Sequence, residues 1–533
     1  MVAAADDRVA LLADALASLT SADAVVTDAV ERAFFSTDVY AAGETAALVV
    51  RPGQREDVPS VVRAITSAGF AVVPRGGGMS YTGGYVPERS QSVILDLSAL
   101  DRIVDVDAED MTITVEAGVT WKQIYDRLSP LGLRLPFFGT FSGSRATVGG
   151  GLSNGALFMG TARYGTAAEN ALCLDVVTAD GRTISTGQAG FHNGRPFYRT
   201  YGPDLTGLFV HDAGALGVKT LITMRMMEAP QHTGCASFVL SSGNAAARAM
   251  SDIARAGASE EAYVFDPATT KRSIPPADLK RDLKRLLGVV KAEKGWFAGL
   301  KAGAKLVGAG RHFADDVYSL HVVCSASTAD GVAHDLSRCR DIADRHGGGE
   351  IANSIPTAAR ANPFEPLNGI LGADGERWAA LNSKVAHSDA AALIEATEAI
   401  FARHASAMSA HDVTVSRLFI AISNHAFSFE PVLRWYDEWL PVHRRTPEPD
   451  YLANMTEPAP NPAARELVDR IRQEVVELFA ERGAASNQIG KTYPYYQSLR
   501  PETAAIVRTL KAELDPQGLM NPGALGLPGA APT

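Results

Sequence analysis

The sequence predicts an α+β fold in two parts: a first domain whose two α+β subdomains clamp a ligand, and a second α+β domain that covers it. Three observations carry this prediction. Strand, helix and strand signals near the start run directly into a glycine-rich loop, Pro74-Arg75-Gly76-Gly77-Gly78-Met79-Ser80-Tyr81-Thr82-Gly83-Gly84. Further glycine-bearing segments follow in order at 146–155, 164–182 and 202–218. After about residue 230 the texture changes, and strands alternate with helices in a ferredoxin-like rhythm.

Taken in order, residues 7–35 read as helical, with Val9, Leu11, Leu12, Leu16 and Leu19 at near-helical spacing behind an acidic start. Residues 47–50 read as a strand, 58–65 as a helix and 71–74 as the next strand, which delivers the glycine loop. Strands are expected at 93–97 and 112–116, and a helix at 121–128. An alternating strand from 171 ends in the turn Asp180-Gly181. In the second part, 236–240 starts a strand, 244–256 reads as an Ala-rich helix, 319–324 as a strand and 418–423 as another. Residues 283–305 read as a surface helix and loop, 350–380 as irregular, and Trp435, Asp437 and Glu438 as a solvated helix start. The division expected is 1–230, 231–483 and a C-terminal return to the first domain over 484–533, ending in a loose tail.

The 533 residues and 46% hydrophobic content allow a full core, and the net charge of −10 comes without a Lys/Arg stripe, which argues against nucleic acid as a partner. Cys173, Cys235, Cys324 and Cys339 are scattered, as suits a reducing compartment and neither a disulfide scaffold nor a metal site. The N-terminus lacks a basic segment before an apolar core, and no apolar run approaches ~20 residues. A cytoplasmic protein without a transmembrane segment is the expectation.

Successive glycines leave backbone N–H groups free to converge on an anion, and the loop at 76–78 is suited to a pyrophosphate. With the segments at 146–155, 164–182, 202–218 and the ending Asp515-Pro516-Gln517-Gly518-Leu519-Met520-Asn521-Pro522-Gly523, the chain resembles the FAD-linked oxidases of the vanillyl-alcohol oxidase/p-cresol methylhydroxylase superfamily. The resemblance implies a two-subdomain FAD-binding domain of the p-cresol methylhydroxylase type, a substrate-binding cap, and an oxidoreductase acting on a small molecule. It implies that Arg75, Gly76, Gly77, Gly78, Met79 and Ser80 wrap the diphosphate. Thr147, Gly149, Gly150, Ser153 and Gly155 would line its other side and the flavin edge, Val218 would meet the adenosine through its backbone, and Asn521 of the closing motif serves the same cofactor. It allows a homodimer, and leaves the electron acceptor open among oxygen, a quinone and a cytochrome.

Position 79 departs from the pattern. Many relatives carry there a His bonded covalently to the flavin; Met79 has no nucleophilic nitrogen, so non-covalent FAD is expected, with His425 the one alternative tether. For chemistry the candidates are Lys491, as a point charge for a substrate carboxylate or phenolate, with Tyr81, Tyr493, Tyr495 and His425; Glu430 is weighed beside His425. Tyr81 and the tyrosines at 493–496 favour a phenolic or benzylic alcohol as substrate. The alternative is a D-2-hydroxy acid, although the metal motif and the Glu-His-Gly-Ile-Gly motif common in that branch are missing. A flavoprotein used without net redox change, or a nicotinamide-fed reductase, is the further alternative.

Overall fold

The computed structural model describes residues 2–273 and 317–527. The segment expected at 283–305 and the tail beyond 527 lie outside the described residues.

Helix α1 (Val2–Leu19) buries Leu12 and Leu16 against the first subdomain. The helix expected over 7–35 is interrupted. Strand β1 (Val25–Val26) pairs with β2 (Leu48–Val50), and α2 (Ala29–Phe35) starts afresh because the Asp28 carboxylate accepts from the N–H groups of Val30 and Glu31. A local cap and two β-branched valines override the apolar periodicity. Helix α3 (Val58–Ser67), β3 (Ala71–Arg75) and β4 (Ser92–Asp96) complete a sheet of order β1-β2-β4-β3, in which β2 and β3 both run parallel to β4. Strands β2, β3 and β4 are buried and largely apolar, as two-sided parallel strands should be, while β1 is a half-buried antiparallel edge.

The second subdomain is antiparallel. Strands β5 (Ile103–Asp107), β6 (Thr112–Glu116), β8 (Ala171–Val177), β9 (Thr183–Ser185) and β10 (Val218–Arg225) lie in the order β5-β6-β10-β8-β9, while β7 (Leu133–Arg134) pairs with β11 (Met227–Glu228). Helix α4 (Trp121–Leu128) is entered through a capping box of Thr120 and Gln123 and buries Trp121, Ile124 and Leu128. Helix α5 (Val148–Asn154), capped by Thr147, faces the loop after β3.

The cap is one antiparallel sheet of order β15-β12-β14-β13-β18-β19-β16, with β17 also on β19. Its strands are β12 (His232–Leu240), β13 (Glu261–Phe265), β14 (Tyr318–Ala326), β15 (Gly349–Ile351), β16 (Arg377–Ala380), β17 (Ser383–Ala386), β18 (Thr414–Ile422) and β19 (Ala426–Trp435). Helices α6 (Gly243–Ala256), α7 (Ala329–Arg345), α8 (Ser354–Ala361), α9 (Ala390–Ala410) and α10 (Pro462–Glu481) accompany it. The two-residue period of β19 sorts its side chains: Phe427, Phe429, Leu433 and Trp435 enter the cap core, while Glu430, Val432 and Arg434 turn towards the first domain. Two expectations fail here. The stretch 350–380 contains α8 and β16, and Trp435 ends a strand, fully buried with Asp437, whose carboxylate pairs with Arg377 and Arg465.

Arg134 of β7 ties the domains together through a buried two-pronged pair with Glu260, at 2.6 and 2.8 Å. After α11 (Pro501–Leu514) the chain reaches the first sheet, where Met520 bridges Val72 in parallel and the Asn521 N–H donates to the Val72 carbonyl. No described helix is long and apolar enough to cross a membrane.

Candidate active site

Strand β3 ends at Arg75 and the chain turns through Gly76 and Gly77 into direct contact with the segment before α5. A Cβ on Gly76 would stand 2.2 Å from the Thr147 hydroxyl oxygen, and one on Gly77 1.9 Å from the Arg145 carbonyl oxygen. Only glycine permits that approach, and it leaves the two loops edge to edge on one wall of a cavity of about 750 Å3. Arg75 is 3% exposed, and its guanidinium lies beneath the loop, 4.7 Å from the centre of the Phe35 ring; its Nε and Nη2 have no hydrogen-bond partner among the described residues. A buried cation with two unpartnered nitrogens behind a glycine cradle fits a diphosphate on the other side. At the far end Gly214, Gly217 and Lys219 reach the cavity, and the Lys219 ammonium is held by Asp212 at 2.6 Å. The residues present therefore fit FAD laid from this end towards the cap.

Arg75, Gly76, Gly77, Gly78, Met79, Ser80, Thr147, Gly149, Gly150, Ser153 and Gly155 all line the cavity. Val218 does not. Its side chain is in the core of the first subdomain, and its neighbours Gly217 and Lys219 take the cavity positions. Asn521 acts from behind, donating from Nδ2 to the carbonyls of Gly84 and Ala213, so it fastens the loop without lining the site.

The cap end is where the catalytic expectations divide. Tyr81 lines the cavity, with its ring edge-on to Trp378 at 5.2 Å, and its oxygen accepts from Gln488 Nε2 at 2.8 Å. Burial, and then the nearby Glu430 carboxylate, raise the phenol pKa well above its ordinary value, so Tyr81 stays a neutral O–H donor. Glu430 opens onto the cavity but is packed about by protein; that burial pushes its pKa up to about 7, against hydrogen bonds from Asn382 and Tyr81 that pull it down. Asn382 is itself fixed, its Oδ1 accepting from the backbone N–H groups of Asn487 and Gln488 and its own N–H donating to the Tyr493 hydroxyl at 2.7 Å. Arg434, two strand positions beyond Val432, reaches the same cavity with its Nη1 3.6 Å from Glu376. Leu418, Ile420, Val432, Trp378 and Ile355 add apolar side chains to the lining.

The other candidates lie elsewhere. Lys491 is turned away: its Nζ donates to the Val86 carbonyl at 2.7 Å, and burial lowers its pKa to about 8. Tyr493 is buried behind Asn382 as a support, and Tyr495 is 37% exposed, outside the lining. His425 sits exposed in the turn between β18 and β19, five residues before Glu430 and off the cavity. The sequence points to Glu430 beside His425 and to the segment that holds Gln488, but it gives no role to Gln488 and no sign of Asn382, Trp378 or Arg434. The one signal for Glu430 was a lone carboxylate in an apolar strand.

A family model described as an FAD binding domain matches residues 46–187. The mitochondrial D-lactate dehydrogenase [cytochrome] 1 of Saccharomyces cerevisiae is 31% identical over 206 residues, 38% of this chain and 34% of that protein. The D-2-hydroxyglutarate dehydrogenase of Xanthomonas citri pv. viticola is 30% identical over 182 residues, 34% of this chain and 37% of that one. The chain thus spans about a third of the length of the curated relatives it matches. A solved structure of p-cresol methylhydroxylase with substrate bound shares the fold over 98% of this chain and 97% of its own, with a TM-score of 0.73 at 17% identity.

Proposed function

We propose that this chain, which carries an FAD binding domain over residues 46–187 and shares the fold of p-cresol methylhydroxylase, is an FAD-dependent dehydrogenase that oxidises the hydroxyl-bearing carbon of a D-2-hydroxy acid. The observation that carries this reading is Glu430, a carboxylate poised near neutrality in the wall where the cavity meets the cap. The relatives support the hydroxy acid over the phenolic or benzylic alcohol favoured by the sequence, since two of them have names that include D-lactate and D-2-hydroxyglutarate.

Bound FAD supplies the acceptor for the hydride that leaves the substrate carbon. The chain does the rest. Glu430, ionised, takes the hydroxyl proton as the carbon becomes a carbonyl. The Tyr81 O–H, fixed by Gln488, donates towards Glu430 and holds its carboxylate in place. Arg434, on the same face of β19, offers a guanidinium to the substrate carboxylate. The apolar side chains of Trp378, Ile420 and Val432 exclude water from the reacting carbon.

A phenolic or benzylic alcohol stays as the second reading because Tyr81 and that apolar wall suit an aromatic ring. Turnover with an artificial electron acceptor separates the two. D-lactate, D-2-hydroxyglutarate and D-mandelate are expected to support turnover and their L-enantiomers not; activity confined to phenolic alcohols would overturn the hydroxy-acid reading. Met79 in the cavity and His425 outside it both favour dissociable FAD. Acid precipitation is expected to leave the yellow colour in the supernatant, and colour in the pellet would reveal a tether.

A further inference from the structure

Asp38 stands just beyond α2 in the first domain, fully buried, and its two oxygens do different work. Oδ1 accepts from the N–H groups of Tyr40 and Ala41, at 2.8 and 2.7 Å, and closes its own turn. Oδ2 reaches across 45 residues to accept the Gly83 N–H at 2.7 Å, while the neighbouring Val39 N–H donates to the Ser80 carbonyl at 3.1 Å. The loop that carries Tyr81 is therefore gripped on both sides, at Ser80 and at Gly83. The same turn is held from the cap: Arg377 of β16 donates to the Tyr40 carbonyl, and the Arg472 guanidinium of α10 lies 3.9 Å from the centre of the Tyr40 ring.

We propose that Asp38 is a positioning residue, which sets the height of Tyr81 against Glu430 and transmits the seating of the cap to that loop. The inference rests on the function proposed above for the rate effect alone; the grip on residues 80–83 stands independently of substrate. The groups facing Asp38 are Arg377 and Arg472 from the cap, Tyr85 from the gripped loop, and His443, which contacts Val39. Burial outweighs the hydrogen bonds from the Ala41 and Gly83 N–H groups and the weaker attraction of Arg472 and Arg377, and raises the Asp38 pKa to about 6, whereas burial lowers that of His443 to about 3 and keeps it neutral in the working range. Protonation of Asp38 places a hydroxyl hydrogen on one oxygen and removes an acceptor from a set that serves three N–H groups.

Hydrogen exchange of the holoprotein tests the grip without any substrate. After correction for intrinsic rates, the segment 80–84 of the wild type is expected to lose protection between pH 7.5 and pH 5.5, and Asp38→Asn to have lost it already at pH 7.5. With a substrate that reduces the flavin, Asp38→Asn is expected to slow reduction about 10- to 100-fold with FAD still bound. The acid limb of the wild-type rate, steepened by two ionisations, should become a single ionisation in the variant. Protection at 80–84 that is indifferent to pH in the wild type overturns the proposal even if the variant does not fold. An unaltered acid limb in a folded Asp38→Asn protein overturns it too. Absence of reduction by every hydroxy acid would instead strike the proposed function and leave the exchange result to decide on Asp38.

Discussion

Glu430→Gln is expected to lower the rate of substrate-driven flavin reduction by about 10^2- to 10^4-fold, the usual contribution of a positioned proton acceptor, while FAD remains bound. The amide keeps the shape of the side chain and its contact with Tyr81 but cannot take the hydroxyl proton. In the wild type the rate should rise with pH through about 7, as Glu430 ionises. That rise should be missing from the variant. Stability gives an independent signature with a definite sign. A carboxyl whose pKa is raised on folding, here from 4.5 to about 7, contributes stability that is complete below 4.5 and is lost as pH climbs through 7. The FAD-free Glu430→Gln protein is therefore expected to be more stable than wild type at pH 8, by at most about 3 kcal/mol, and no more stable at pH 4. A variant that is slower and yet more stable at pH 8 identifies the carboxylate as functional; equal rates would remove Glu430 from the mechanism.

Gly77→Val is expected to abolish FAD retention. Its Cβ would lie 1.9 Å from the Arg145 carbonyl oxygen and 3.1 Å from the Ala146 Cα, both backbone atoms that no rotamer change can move. The two loops must separate by more than an ångström, and the cradle opens with Arg75 beneath it. The purified variant should be colourless, and added FAD should not restore the visible spectrum. Full flavin occupancy would show that the diphosphate lies elsewhere.

The contrast between these two residues also explains what the sequence could disclose. Gly77 is legible through the company it keeps: three glycines after a short strand are a weak signal alone, but the partner segment at 146–155 carries its own glycine signature and the further segments follow in order. The cap end is assembled from distant pieces. Tyr81 and Gln488 are bonded to each other across 407 positions, and Asn382 and Glu430 come from two further elements. Lys491 looked like a site cation from its position before the closing motif, but three residues from Gln488 its side chain has turned to the Val86 carbonyl. His425 looked close to Glu430 in sequence, yet five residues of extended strand separate them by roughly 17 Å, and the turn lies at the far end. The same two-residue period, read along β19, singles out Glu430, Val432 and Arg434 as one face. What it could not disclose is which domain that face meets.

The most direct test of the central claim is anaerobic mixing of the purified holoprotein with an excess of a D-2-hydroxy acid, followed through the flavin's visible absorbance and the product. The account predicts bleaching by the D-enantiomer alone, with one 2-oxo acid formed for each flavin reduced. A flavin that stays oxidised with every D-2-hydroxy acid, and bleaches with a phenolic alcohol, would contradict it.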